Sequence, residues 1–95
     1  MNRILAEDVK AKIKEIIAVD LDVNIRIGDI DDDSSLYDDG LGLDSIAIIN
    51  FIVLIEKKFE INFDESEISH HLFGSINKLT EFVVSKVNIQ EGSMQ

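Results

Sequence analysis

Nine aspartates in the segment 20–44 divide this chain into two parts. Asp20, Asp22, Asp29, Asp31, Asp32, Asp33, Asp38, Asp39 and Asp44 stand there against Arg26 alone, a net charge of −8. Asp is a poor helix former that favours caps and turns. Gly28, Gly40 and Gly42 fall in the same segment. A long acidic loop is therefore expected, with regular structure confined to its two sides.

Both sides have helical spacing. Leu5, Val9, Ile13 and Ile16 recur at steps of four, four and three and predict one apolar stripe, with Lys10, Lys12, Lys14 and Glu15 on other faces. Ser45 to Glu60 predicts a second helix, unbroken by Gly or Pro. Asp64-Glu65-Ser66-Glu67 has the spacing of a capping box and predicts a short helical turn ending near Leu72. A last helix is expected from about Ser75, with Ile76, Leu79, Val83 and Val87 on one face. Val23, Ile25 and Ile27 alternate with strand period but lack a partner strand, so they read as extended loop pinned to the core. The expected fold is all-α: a small bundle of three main helices plus one short helix, with a long acidic loop between helices one and two. Residues 1–88 form a single domain in this reading, and 89–95 a frayed C-terminal tail.

Composition narrows the function. The chain has 95 residues and a net charge of −10, with 45% hydrophobic residues and no Cys. Nucleic acid and anionic membrane surfaces are bound through clustered Lys and Arg, so neither is an expected partner. Without Cys there is no disulfide framework, thiolate zinc site or thiol nucleophile. Met1 to Lys14 lacks the apolar core of a signal peptide, and Ile46 to Ile55 is too short to span a bilayer. The expectation is a cytoplasmic protein with no membrane insertion.

The richest chemical spot is the end of the acidic loop, Leu36-Tyr37-Asp38-Asp39-Gly40-Leu41-Gly42-Leu43-Asp44-Ser45-Ile46. Ser45 falls at the cap or first turn of helix two, where backbone N–H groups lack partners within the helix and favour an anion. Asp44 or Ser45 as a plain N-cap accounts for the same residues.

Gly42-Leu43-Asp44-Ser45-Ile46 resembles the Asp-Ser-Leu attachment motif of acyl carrier proteins and related carrier domains. Leu36-Tyr37-Asp38-Asp39 resembles the family's approach to the motif. Ile55-Glu56-Lys57-Lys58-Phe59-Glu60-Ile61 resembles the end of its second helix. Asp64 to Leu72 and Ile76 to Val84 resemble its third and fourth helices. The resemblance implies a covalent 4′-phosphopantetheine on Ser45, with Asp44 as part of the attachment motif, and a carrier with no catalytic residues of its own. Acyl intermediates would ride as thioesters and be presented to enzymes of fatty-acid or related lipid synthesis. An aminoacyl, peptidyl or polyketide carrier shares the same motif. The implied partners are a phosphopantetheinyl transferase and acyl-loading and acyl-transferring enzymes with basic or apolar docking patches, met by a monomer.

Helix two departs from the family pattern. Ile46 replaces Leu, Ala47 and Asn50 stand where acids are frequent, and Lys57 and Lys58 fall at positions that are often acidic. On a helical wheel Ile48, Phe51, Ile52, Ile55 and Phe59 form the core face, and Ile46, Ile49 and Val53 another. The second face is either an apolar docking strip or packs on the loop through Ile25, Ile27 or Leu41. Asp38, Asp39 and Glu56 are the acidic candidates for partner contact.

Weaker signals carry less. Asp29, Asp31 and Asp33 start like an EF-hand, but Ser34 replaces the required Gly and Gly40 the bidentate Glu, so no metal site is expected. His70 and His71 are adjacent, point apart on a helix and are expected at the surface. Leu43-Asp44-Ser45-Ile46-Ala47 lacks both glycines of a hydrolase nucleophile elbow. An acidic helical interaction module without a prosthetic group shares the composition but leaves the downstream register without a reason.

Overall fold

In the computed structural model, residues 5–21, 23–37 and 40–92 are described, with side chains through residue 87. Three α-helices dominate: α1 (Ala6–Glu15), α2 (Ser45–Phe59) and α3 (Ile76–Gly92), with no strand among the described residues. The all-α expectation holds.

α1 buries Val9 and Ile13 and then loosens into a π turn, Ile16–Asp20. Leu21 N–H closes this turn onto the Ile16 carbonyl, five residues back, at 2.9 Å. The wider turn brings both Ile16 and Ile17 into the core. The expected stripe is corrected at its other end, where Leu5 precedes the helix and is 60% exposed.

The loop read as extended is broken by a left-handed residue, Asn24 (φ 62°), and then makes one 3₁₀ turn, Ile27–Asp29. Val23 and Ile25 pack half-buried against the core as expected, whereas Ile27 faces solvent. Ile30 and Leu36 are buried and pin the loop at two further points.

α2 buries Ile48, Phe51, Ile52 and Ile55, with Phe59 half-buried, so the core face read from the wheel is correct. Full burial of one such side chain is worth about 1.5–3 kcal/mol. The helix ends at Glu60, whose left-handed backbone (φ 56°) returns an N–H to the Glu56 carbonyl.

The connector to α3 holds the capping box read from Asp64 and Glu67: Asp64 N–H donates to Glu67 Oε1 at 2.8 Å. The turn it opens covers only Glu65–Glu67, and a separate 3₁₀ turn spans Leu72–Gly74. The single short helix expected from Asp64 to Leu72 is thus two one-turn pieces. Lys86 fastens the connector to α3 by pairing with Glu67 (2.8 Å) and donating to the Asn62 carbonyl (2.7 Å). The Lys86 hydrogen bond is the main cause of a lowered Glu67 pKa, with the Asp64 amide second.

α3 packs against α1. Ser75 caps it, its Oγ accepting from Lys78 N–H at 3.0 Å. Its backbone is helical to Gly92, beyond the boundary at 88 read between domain and tail.

Candidate functional site

The acidic loop and α2 meet at a helix end built by Asp44. Its extended backbone (ψ 178°) stops the helix, and its Oδ1 accepts from Ala47 N–H at 2.8 Å. Its carbonyl accepts from Ile48 N–H at 3.0 Å. Asp44 is therefore the N-cap, and Ser45 is the first helical residue, with its side chain in solvent. Among the described residues, the amides of Ser45 and Ile46 find no partner. An exposed hydroxyl thus sits beside two unpaired donors at the positive end of a fifteen-residue helix. That arrangement favours a negatively charged substituent on the serine.

The approach to this end is a tightly bonded loop. Leu36 is fully buried, donates its N–H to the Phe73 carbonyl (3.1 Å) and accepts from Leu43 N–H (2.9 Å). Leu43 is buried as well, so the chain re-enters the core two residues before Ser45. Between these leucines, Leu41 N–H donates to the Ser35 carbonyl (2.8 Å), and Gly40 and Gly42 both donate to the Tyr37 carbonyl (2.9 and 2.8 Å). A Cβ on Gly40 would overlap the Ser35 carbonyl oxygen, and Gly42 needs its left-handed φ of 76°. These two glycines shape the turn that aims Ser45.

Two loop aspartates are tethered. Asp32 receives Lys10 (3.0 Å) and Lys14 (2.8 Å) from α1. The hydrogen bond from Lys14, then that from Lys10, holds its carboxyl below the ordinary range. Asp33 accepts from the Asn77 side chain at 3.1 Å. Asp29 and Asp31 are exposed, whereas Asp38 and Asp39 lie outside the described residues. Among the described residues, no group of three His, Asp or Glu side chains converges as a metal site needs.

The second face of α2 is open to solvent: Ile46 is 71%, Ile49 59% and Val53 43% exposed. Packing of this strip onto the loop is thereby overturned, since residues so exposed are not covered by Ile25, Ile27 or Leu41. Glu56 has an internal partner that sequence reasoning missed. Its carboxylate accepts from Phe63 N–H at 2.9 Å and staples the turn after α2. His70 and His71 are exposed, as expected, but the His70 ring stacks on Tyr37 at 4.1 Å with 2° between planes. No sequence signal links residues so far apart.

A groove of about 1070 Å³ lies between α1, the loop residues Ile25 to Ile27 and the end of α2, with Ala11, Ala18, Ile25 and Phe59 in its lining. Ser45 does not line it. Among the described residues, no helix is long and apolar enough to cross a membrane.

Residues 11–83, which include the whole of this loop and α2, match the family described as "Phosphopantetheine attachment site". An acyl carrier protein from Desulforapulum autotrophicum is 35% identical over 78 residues, covering 82% of this chain and 96% of the relative. Members of this family carry a 4′-phosphopantetheine prosthetic group and are carriers, not enzymes. On the match across most of its length and the helical architecture around it, the chain belongs to the acyl carrier protein family, as a phosphopantetheine-bearing carrier domain.

Proposed function

We propose that Ser45 carries the 4′-phosphopantetheine arm and that the protein presents acyl thioesters to enzymes of fatty-acid or related lipid synthesis. The observation that carries this reading is the exposed Ser45 hydroxyl beside the Ser45 and Ile46 amides, which have no partner among the described residues. A phosphodiester fits there: the two donors and the helix dipole offset the charge it adds beside Asp44. The Asp44 carboxylate is itself turned onto Ala47 N–H, which lessens the repulsion. When bound, the arm supplies a terminal thiol for thioester formation.

The attachment step is a group transfer from coenzyme A. Ser45 Oγ forms a bond to the phosphorus next to the pantetheine, and the pyrophosphate bond of coenzyme A breaks. The hydroxyl proton passes to a base of the transferase, and 3′,5′-adenosine bisphosphate leaves. The chain contributes the positioned hydroxyl and the helix end.

In this reading Ile46, Ile49 and Val53 dock apolar patches of partner enzymes, while Asp38, Asp39 and Glu56 meet basic ones. The protein acts as a cytoplasmic monomer. Intact-protein mass spectrometry after incubation with coenzyme A and a phosphopantetheinyl transferase tests the attachment. One added phosphopantetheinyl group, abolished by Ser45→Ala, is the expected result; no addition with several transferases would sink the reading. Ile49→Glu is expected to weaken acyl transfer by partner enzymes, and unchanged transfer would remove the docking role.

A further inference from the structure

The Tyr37–His70 stack lies beside the loop that leads to Ser45, and its placement gives it a task. Tyr37 holds the turn before the serine, since its single carbonyl accepts from both Gly40 and Gly42. Its own N–H donates to Ser35 Oγ at 3.1 Å. The Tyr37 ring is half-buried, and burial pushes its hydroxyl pKa up. Over that ring lies His70, nearly parallel to it at 4.1 Å. His70 belongs to the α2–α3 connector, which also accepts Leu36 N–H through the Phe73 carbonyl. The connector therefore grips the loop twice, once by backbone and once by ring. His70 itself is exposed, so its ring contributes little to the core.

We propose that His70 is a positioning residue for modification of Ser45: its ring clamps Tyr37, Tyr37 fixes the Gly40–Gly42 turn, and the turn sets the helix end that presents the hydroxyl. The inference rests on Ser45 as the attachment site. What His70 supplies is a flat π surface and not a charge, so an apolar ring of similar size serves in its place.

Two measurements on the full-length chain test this. His70→Ala is expected to lower kcat for phosphopantetheinyl transfer about five-fold, the scale of one lost aromatic pair. KM for the carrier stays near wild type, Tm falls by only a few degrees, and His70→Phe restores both the rate and Tm. Unchanged kcat in His70→Ala, or no rescue by His70→Phe, overturns the proposal. Hydrogen exchange provides a readout independent of the transferase. The Gly40 and Gly42 amides lose protection in His70→Ala and regain it in His70→Phe, while amides in the middle of α3 do not change. Equal protection of both glycines in all three proteins refutes the clamp. If the wild-type chain accepts no arm, the Ser45 assignment fails and the effect on modification falls with it, whatever the exchange data show.

Discussion

Helices α2 and α3 begin with the same device and end up differently occupied. Each has a capping side chain that accepts from the third helical amide, Asp44 for Ala47 and Ser75 for Lys78, at 2.8 and 3.0 Å. Each cap also gives its carbonyl to the fourth, Ile48 or Leu79. The difference lies in the first two amides. At α3, Ile76 donates to the Ser34 carbonyl (3.1 Å) and Asn77 to the Asp32 carbonyl (2.9 Å), so the acidic loop closes that end. At α2, the Ser45 and Ile46 amides meet no such carbonyl among the described residues. A helix start with all four donors engaged is a structural joint. One with two donors open beside an exposed hydroxyl can receive an anion.

The two serines offer the largest contrast. Ser45→Ala is expected to abolish arm attachment by mass spectrometry while changing unfolding free energy by no more than about 0.5 kcal/mol. Modification of that variant at another residue would move the functional end elsewhere. Gly40→Ala ranks next. Its Cβ would collide with the Ser35 backbone, next to the Ser34 carbonyl that closes α3. A loss of about 2–3 kcal/mol in chemical denaturation is expected, with faster hydrogen exchange at Ile76 and Asn77. A neutral Gly40→Ala would show that the loop is looser than its hydrogen bonds imply.

The caps come third. Asp44→Ala and Ser75→Ala each remove one cap and are expected to cost about 1 kcal/mol. Only Asp44→Ala should also slow phosphopantetheinyl transfer, because only that helix end presents the hydroxyl. Equal slowing in both would erase the distinction between the two ends.

The smallest effect concerns Asp32, which ties the closed side of the loop to α1. Its folded pKa lies below the ordinary value of 3.8 because Lys14 and Lys10 hydrogen-bond the carboxylate. This contribution to stability is fully present above 3.8 and is lost as pH falls through the depressed folded value. Asp32→Asn should therefore flatten the acid limb of the denaturation midpoint against pH. An unchanged limb would mean that the lysine pairs contribute nothing to it.

These ends explain which features sequence could reveal. The attachment motif, the capping residues and the core face of α2 depend on local spacing, and Asp44, Asp64, Ser75, Ile48 and Phe51 were legible for that reason. α1 was misread at its start because spacing alone does not place a helix boundary: Leu5 is in register with Val9 and Ile13 but precedes the first turn and stays exposed. The loop aspartates were read together as one long acidic loop. Asp32 and Asp33 instead hold Lys10, Lys14 and Asn77, partners 18 to 44 residues away that no periodicity points to. The glycines were visible, but their reason was not: Gly40 is set by a backbone that approaches from Ser35.

The hydrogen bonds that close the loop also impose an order in time. The chain is made from its N-terminus, so Ser45 leaves the ribosome about thirty residues ahead of Phe73, Ile76 and Asn77, which hold its loop in place. α1 likewise waits for α3, its main packing partner. A nascent chain thus displays the serine before the platform beneath it exists. The finished helix end becomes available only when the start of α3 has been synthesised.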